Sequence, residues 1–343
     1  MVQLHLRAAI SRPSLGAWRQ RQRPRHASCP ASPSPLDAVC FTLIIDDIVH
    51  PDGSTTMAAL GGGGPQSCFG LRLHRSDASV GLAACVGAAG DFPAAWLLNN
   101  GVDISGLTPV EGFQTPRAWQ VCETDGRRTQ VWRTPKPEPA RLRPHLSSLP
   151  PHFRAAKSFH VGVHPQLSYD RAHSTELRAA SQLLSVEPYT TASEPLTQEA
   201  LRELVSVPDI WSPNFEEAAS ILGRRDLTPL EMADEFVAAG AKVVCIRCGA
   251  DGAVVLAGNE AWSVPAFEGA VLVDATGCGN AFSGAFLASW VAGEGLLEAA
   301  CWGCAAASFL LECHGVPETP VTLLRGEAER RVGSLRAKAV RLR

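Results

Sequence analysis

The sequence lacks a strong excess of charge of either sign, and it lacks a long uninterrupted apolar run. Its 343 residues carry a net charge of −3, with a pI near 6.4, so neither nucleic acid nor an anionic membrane surface is expected as a partner. The segment 275–293 contains no charged residue, but glycine and polar residues interrupt it. A buried helix after a glycine turn explains this segment better than a membrane span.

The sequence also lacks the cysteine pattern of a disulfide-stapled protein. Its 11 cysteines are odd in number and scattered, and no signal peptide is recognised, which favours reduced thiols in an intracellular protein. Two CxxC spacings, at Cys245 and Cys248 and at Cys301 and Cys304, raise the alternative of a zinc site. Core positions are the better interpretation, because residues three apart on a strand point to opposite faces and the second pair lies in an alanine-rich helical run.

Acidic residues are absent from the N-terminal segment. The first is Asp37, and residues 1–36 are rich in arginine, serine and proline. This composition is typical of an organellar transit peptide, which predicts a chloroplast or mitochondrial protein. The alternative is a disordered segment of a cytoplasmic protein. The globular domain is expected over residues 37–325, with a basic C-terminal helix or tail over residues 326–343.

From Val39 onward, apolar runs of strand length alternate with helix-like stretches. The runs are 158–163, 183–188 and 243–247, and the helix-like stretches are 170–182, 197–206, 215–222 and 229–239. This alternation predicts an α/β fold, in which a parallel sheet is covered by helices on both faces.

Two further segments predict strands. The apolar run 39–45 predicts a buried strand that ends at Asp46 and Asp47. Residues 119–133 predict a hairpin, because the Asp125-Gly126 pair between its two runs tolerates the positive φ angles of a tight turn.

The most informative segment is 273–286. An apolar run, Ala-Val-Leu-Val, predicts a strand that ends at Asp274. After it, Gly277 and Gly279 permit a tight turn, and a long apolar helix follows. Such a turn directs backbone N–H groups outward at the positive end of a helix. The segment therefore predicts an anion site suited to a transferring phosphoryl group.

This segment resembles the C-terminal signature of the PfkB/ribokinase family of carbohydrate kinases, Asp-Thr-x-Gly-Ala-Gly-Asp. Four more segments resemble motifs of that family in the same order, namely 60–66, 80–103, 213–218 and 247–252. The resemblance implies a ribokinase-like three-layer sandwich, with a mostly parallel central sheet flanked by helices and a small β-lid whose hairpin lies near residues 112–135. It also implies ATP-dependent phosphoryl transfer to a hydroxyl of a sugar or nucleoside-like molecule.

The resemblance implies roles for individual residues. The residues expected at the acceptor are Asp46, Asp47, Gly62, Gly63 and Gln66, where Gln66 stands in place of the family's asparagine. Those expected at the nucleotide are Asn214, Arg247, Gly249, Gly252 and Thr276. Those expected to organise cations are Glu217 and Asn214 for Mg²⁺, and Asp274, together with Thr276, for a monovalent ion such as K⁺. Those expected at the reacting phosphoryl group are Gly277, Cys278, Gly279 and Asn280.

One position departs from the family pattern. Family members place an aspartate after Gly-x-Gly to accept the hydroxyl proton, and this chain has Asn280. An amide can hydrogen-bond a hydroxyl but has no useful basicity, and losing general base catalysis costs about 10²–10⁴-fold. Because phosphoryl transfer depends mostly on positioning and charge stabilisation, an active kinase stays compatible with the sequence.

Three functions remain open at this point. The first is a kinase in which another group accepts the proton; Cys278, at a helix N-terminus, is one candidate if its pKa is lowered. The second is a non-catalytic pseudokinase that binds nucleotide, sugar or a protein partner as a regulator. The third is a structural relative without a small-molecule role. The resemblance also implies that a homodimer is open, because the lid hairpin can form the dimer contact in this family.

Overall fold

The computed structural model describes residues 34–88, 90–123 and 128–343. The segment 1–33 and the Asp125-Gly126 turn therefore lie outside the described residues. The strands in chain order are β1 (Ala38–Phe41), β2 (Ile44–Val49), β3 (Thr55–Gly61), β4 (Val80–Gly87), β5 (Val102–Asp103), β6 (Leu107–Val110), β7 (Arg117–Cys122), β8 (Arg128–Trp132), β9 (Ser158–Val163), β10 (Leu183–Pro188), β11 (Ile210–Trp211), β12 (Val243–Arg247), β13 (Ala253–Ala257), β14 (Glu260–Val264) and β15 (Val340–Arg341).

The helices alternate with these strands through much of the chain. They are α1 (Gly64–His74), α2 (Ala95–Asn99), α3 (Pro151–Arg154), α4 (Ser168–Ala180), α5 (Gln198–Val205), α6 (Phe215–Leu222), α7 (Pro229–Ala238), α8 (Cys278–Val291), α9 (Leu296–Leu311) and α10 (Val321–Lys338). Among the described residues, none of these helices combines the length and apolar character that a membrane span needs.

A large, mostly parallel sheet forms the centre of the molecule. Its strands lie in the order β15-β14-β13-β12-β11-β10-β9-β1-β4-β5, and β6 also pairs with β4. The strands from β12 to β4 run parallel, and β13, β14 and β15 add an antiparallel edge. The parallel sheet predicted from the sequence is confirmed, and β9, β10 and β12 coincide with the predicted runs.

The two faces of this sheet are covered by different helices. On β1, Cys40 packs toward the side that holds Phe69 of α1 and Phe286 of α8. Its neighbour Phe41 packs toward the other side, where Phe236 of α7 is buried. This alternation follows from the two-residue period of a strand, and it produces the expected three-layer sandwich.

A second, smaller sheet forms the β-lid, with its strands in the order β3-β2-β7-β8. The run 39–45 was predicted as one strand that ends at Asp46 and Asp47, and this was wrong. Thr42 has a positive φ of 79°, and the chain leaves the large sheet there and enters the lid as β2. Both aspartates therefore lie inside a lid strand, close to where the two sheets meet.

The strand predicted before Asp274 is also absent. Val271, Leu272 and Val273 belong to no strand, and their side chains are 67%, 73% and 44% exposed. The edge of the sheet beside β14 is taken instead by β15, close to the end of the chain. The N–H groups of Val273 and Asp274 hold this segment by donating to the carbonyl of Leu311.

The C-terminal residues are part of the same folded unit. The boundary expected at residue 325 falls inside α10, which runs unbroken from Val321 to Lys338. Strand β15 then pairs with β14, with Val340 opposite Ser263. Residues 326–343 are thus a helix followed by an edge strand.

Two glycines bring α1 and α8 into direct backbone contact. A Cβ on Gly70 would lie 2.7 Å from the backbone nitrogen of Ala285 and closer still to the carbonyl of Ala281, and one on Gly284 would collide with the carbonyl oxygen of Ser67. Because α1 follows the glycine loop 61–63 and α8 follows the turn at Gly277, this packing sets the distance between the two loops.

Replacing Gly284 by alanine is expected to destabilise the protein by about 1–3 kcal/mol, because the added methyl group overpacks a backbone contact. Gly333→Ala is the matched control, since a Cβ at Gly333 meets open space on α10 and alanine favours helix by about 1 kcal/mol. Denaturant unfolding of both variants provides the comparison. Equal stability of the two would contradict the close approach of α1 and α8.

Candidate active site

A cavity of about 1230 Å³ lies between the carboxyl ends of the central strands, the N-terminus of α8 and the lid. It is where an open parallel sheet is expected to bind ligands. Most of the residues expected at the site line it together: Asp46, Gly62, Gly63, Gln66, Asn214, Glu217, Arg247, Asp274, Thr276, Gly277, Gly279 and Asn280. Asp47, Gly249, Gly252 and Cys278 do not.

The lid side of the cavity is rich in hydrogen-bond acceptors. The carboxylate of Asp46 is 4% exposed and accepts a hydrogen bond of 2.7 Å from Nε2 of Gln120. Nε2 of Gln66 donates to the carbonyl of Leu60 at 2.8 Å. The amide oxygens Oε1 of Gln66 and of Gln120 are buried without a donor among the residues that the structure describes. Gln66 and Gln120 line the cavity together with Asp46, so this side presents polar side chains suited to a hydroxylated ligand.

Asp47 has a different place. Its carboxylate is fully buried and accepts hydrogen bonds from Arg117, Arg133 and the N–H of Ala58. Burial alone would raise the pKa of Asp47, but these hydrogen bonds lower it to about 2. Of the two neighbouring aspartates, only Asp46 therefore faces the cavity, and Asp47 ties β2 to the lid strand β7 and to Arg133 beyond β8.

The N-terminus of α8 closes the opposite side. Gly277 precedes the helix with a φ of 81°, a conformation that favours glycine. Because the first N–H groups of a helix have no acceptor within it, those of Gly279 and Asn280 are available to an anion. The N–H of Cys278 instead donates to the carbonyl of Ala275 at 3.3 Å, so the turn itself uses one of the three amides expected there.

The Cys278 side chain does not have the lowered pKa that its position at a helix end suggested. Burial raises the pKa of its thiol to about 12, and nearby Asp274 acts in the same direction. A raised pKa disfavours the thiolate, so the alternative in which Cys278 accepts the hydroxyl proton loses its support. Desolvation outweighs the helix dipole at this position.

Glu217 is held rigidly at the start of α6. Asn214 and Glu217 form a capping box, in which each side chain accepts a hydrogen bond from the other's backbone N–H. The Glu217 carboxyl is 7% exposed, and burial raises its pKa to about 7, even though Arg247 opposes the shift. A buried carboxylate with a raised pKa favours a nearby cation, and its oxygen atoms suit Mg²⁺.

Arg247 connects this carboxylate to the helix end. Its guanidinium lies 3.3 Å from Oε2 of Glu217 and 3.4 Å from Oε2 of Glu187, and it donates to the carbonyl of Ser212 at 2.8 Å. A Cβ on Gly279 would collide with it, so the cation lies directly over the first turn of α8. The positive charge of the guanidinium therefore lies next to the positive end of α8.

Sequence reasoning missed Glu187, the last residue but one of β10. Its carboxylate is 2% exposed and accepts hydrogen bonds from Asn280, from Ser283 at 2.9 Å and from His160 at 3.4 Å. Burial alone would raise its pKa, but Arg247 and the hydrogen bonds from His160 and Ser283 lower it to about 2. The available signal was a carboxylate near the carboxyl end of a predicted central strand, the edge where such side chains converge.

The remaining expected residues lie at the margins of the site. Oδ1 of Asp274 accepts the N–H of Thr276 at 2.8 Å, and Oδ2 lies 3.5 Å from Nδ1 of His314. Gly252, with a φ of 87°, packs against the backbone of Val264, and Gly249 opens the same turn. These two glycines shape the turn after Arg247 without lining the cavity.

The four CxxC cysteines pack within or against the protein core. In residues 34–88, 90–123 and 128–343, no group of three or more His, Cys, Asp or Glu side chains is placed to hold a metal ion. Cys245, Cys301 and Cys304 are buried among the core residues, as the sequence led us to expect.

The fold and the cavity define a kinase-like α/β protein, with a glycine-rich helix end on one side of a cleft and a lid on the other. Residues 36–322 match the family model described as pfkB family carbohydrate kinase. The match covers most of the chain, and the chain belongs to this family.

Relatives and solved structures agree with this assignment. The chain is 29% identical to a cytidine kinase of Thermococcus kodakarensis, over 74% of this chain and 88% of the relative. It is 24% identical to a nucleoside kinase of Methanocaldococcus jannaschii, over 74% and 80% of the two chains. The structure of Arabidopsis thaliana ribokinase complexed with ribose and ATP superposes with a TM-score of 0.67 at 18% identity, covering 88% of this chain and 99% of that one. The ribokinase-like fold is thereby confirmed.

Proposed function

We propose that this protein transfers the γ-phosphoryl group of ATP to a hydroxyl of a sugar or nucleoside. The observation that carries the proposal is that the N-terminus of α8, with Gly277 and Gly279, faces the same cavity as Asp46 of the lid. A donor phosphate at the helix end and a hydroxyl held by the lid would meet across this cavity, with Asn280 on its wall. Relatives named as cytidine and nucleoside kinases support the same chemistry.

On the acceptor side, Asp46, Gln66 and Gln120 would bind the hydroxyl groups of the substrate. Each of these residues lines the cavity and carries a carboxylate or amide group. A ligand with several hydroxyls would hydrogen-bond these polar groups, whereas an apolar ligand would leave any group that it covers unpaired, at a cost of about 1–3 kcal/mol each. Closing the lid over the ligand would exclude water from the transfer.

On the nucleotide side, Arg247 and the first amides of α8 would bind the phosphates. Glu217 and Asn214 would hold Mg²⁺ through water, and the ion would neutralise charge on the phosphates. Asp274 and Thr276 would contribute oxygen atoms to a K⁺ site, and the lid would form the contact of a homodimer.

In the transfer itself, the hydroxyl oxygen attacks the γ-phosphorus while the bond to the bridging oxygen of ADP breaks. Asn280 would accept a hydrogen bond from the attacking hydroxyl but cannot take its proton. In the loose transition state of phosphoryl transfer the proton leaves late, so an oxygen of the transferred phosphoryl group or solvent can receive it. Arg247 would stabilise the charge on the equatorial oxygens.

A pseudokinase is the second candidate, and Asn280 is the observation that favours it. The two functions are separated by measuring ADP release with ribose, fructose, cytidine, adenosine and inosine, alongside calorimetric binding of ATP with Mg²⁺. Turnover with any acceptor supports transfer. ATP binding without turnover of any acceptor contradicts the kinase and supports the regulator.

Replacing Asp46 by asparagine is expected to lower kcat/KM for the acceptor by about 10–100-fold, because a charge-assisted hydrogen bond is worth about 1.5–3 kcal/mol. ATP affinity is expected to stay unchanged, since Asp46 lies on the lid side. Asp52→Asn is the matched control, because Asp52 is exposed and does not line the cavity. An equal loss of ATP affinity in Asp46→Asn would contradict the assigned side of the cavity.

A further inference from the structure

The side chain of Asn280 is held between a strand end and the acceptor loop. Its Nδ2 group donates to Oε1 of Glu187. On the other side, a Cβ on Gly63 would lie only 2.7 Å from the same nitrogen. The amide nitrogen is therefore enclosed by the protein, while the partly exposed side chain still lines the cavity.

The chemistry of Glu187 determines which way this amide faces. Oε2 of Glu187 accepts a hydrogen bond from Ser283 at 2.9 Å and lies 3.4 Å from Arg247, and Oε1 lies 3.4 Å from Nε2 of His160. An ionised carboxylate only accepts hydrogen bonds, so the NH₂ group of Asn280 has to face it. The carbonyl oxygen Oδ1 then turns away from Glu187, and it has no donor among the described residues.

We propose that Glu187 is a positioning residue for the phosphoryl transfer: it holds the amide of Asn280 so that Oδ1 accepts a hydrogen bond from the attacking hydroxyl. This inference rests on the proposed function. Glu187 acts through Asn280 and is not a base, because both of its oxygen atoms are already engaged and only 2% of the residue is exposed. The negative charge of the pair lies on Glu187, which also lines the cavity but is only 2% exposed.

The contact between Glu187 and Asn280 affects what happens when the family's aspartate is restored at position 280. An aspartate at position 280 would place a second carboxylate against Glu187, in a place with little solvent, and like charges at such a distance repel strongly. Asn280→Asp alone is therefore expected to disturb the site and not to restore a general base. The double variant Glu187→Gln with Asn280→Asp exchanges the two groups, so one carboxylate and one amide stay in contact.

The test compares four proteins: the wild type, Glu187→Gln, Asn280→Asp and the double variant. For each, kcat, KM for the acceptor, KM for ATP and the thermal midpoint are measured. Glu187→Gln is expected to lower kcat by about 10–100-fold, the size of effect that slight misplacement of a reacting group causes, with little change in KM for ATP. Asn280→Asp is expected to lower the thermal midpoint by several degrees.

The double variant distinguishes positioning from a structural role. We expect it to regain most of the thermal midpoint lost by Asn280→Asp and at least about tenfold in kcat relative to the poorer single variant, since the effects of contacting residues are coupled. Glu216→Gln is the control for removing a glutamate charge nearby, because Glu216 is exposed and pairs only with Arg225 among the described residues.

The outcomes separate the contact between Glu187 and Asn280, the positioning role and the proposed function. Additive changes in the thermal midpoint overturn the contact between Glu187 and Asn280, whatever the kinetics. Coupled midpoints with an unchanged kcat in Glu187→Gln overturn the positioning role and leave the kinase intact. Absence of turnover in the wild type overturns the proposed function and the positioning role together, while the midpoints still report on the pair.

Discussion

Replacing Arg247 by methionine is expected to lower the rate of phosphoryl transfer by about 10²–10³-fold, the loss typical of removing one group that stabilises charge in the transition state. The guanidinium lies over Gly279 at the positive end of α8, so it can contact the transferring group. Methionine preserves much of the side-chain volume and removes only the charge and the hydrogen bonds. The measurement is kcat under saturating ATP and acceptor.

The same change is expected to reduce stability in a pH-dependent manner. Without Arg247, Glu187 and Glu217 are two buried carboxyls with no cation between them. The pKa of Glu217 is already raised to about 7 by burial, and losing the guanidinium raises it further. A carboxyl whose pKa is higher in the folded state than in the unfolded state costs stability as pH rises above its unfolded value. Unfolding free energies at pH 5 and pH 8 should therefore show the larger loss at pH 8.

Two variants serve as controls for Arg247. Arg224→Met removes an arginine of an exposed pair with Asp226 and should leave both kcat and stability unchanged. Arg247→Lys keeps the charge but not the planar fork, and an intermediate rate is expected. A normal kcat in Arg247→Met, with only stability reduced, would restrict Arg247 to a structural role.

Replacing Asp170 by alanine is expected to destabilise the protein by about 3–5 kcal/mol, because it leaves a buried charge without its partner. Asp170 in the first turn of α4 pairs with Arg143, and neither side chain is more than 1% exposed. Asp170 also accepts the N–H of His164 at 2.6 Å, and Arg143 donates to the carbonyl of Gly162 at 3.0 Å. The pair thus fixes the loop that follows β9 beside the cavity.

Chemical denaturation tests this expectation against two comparisons. Asp226→Ala breaks an exposed ion pair and should change stability little. The double variant Arg143→Met with Asp170→Leu should lose less than Asp170→Ala, since a buried pair can often be replaced by apolar residues without loss. A double variant as unstable as the single one would show that packing, and not the unpaired charge, determines the loss.

Much of the fold was predictable because its signals are local. The apolar runs of β9, β10 and β12 and the helix α6 match the predicted segments, since hydrophobic periodicity and chain length determine such elements. The glycine turn before α8 was predictable for the same reason, because the conformation of a turn at Gly277 and Gly279 depends mainly on residues within the turn.

The failures occurred where a local pattern competed with a distant partner. The run 271–273 has the composition of a strand, but β15 near the end of the chain takes the sheet edge beside β14. The run 39–45 is apolar throughout, but Thr42 turns the chain between two sheets. The anion-site amides were assigned from the turn alone, but the N–H of Cys278 donates to the carbonyl of Ala275 and burial raises the pKa of its thiol.

The sequence by itself determined the family, much of the alternation of strands and helices, and the glycine turn before α8, since each depends on residues close together in the chain. Only the tertiary structure decided which of Asp46 and Asp47 faces the cavity, and which charge accompanies Asn280. Glu187 lies 93 residues from Asn280 in the chain, and β10 and α8 place their side chains in contact. No local pattern encodes such a contact, because it results from packing the whole sheet against the helix that follows the glycine turn.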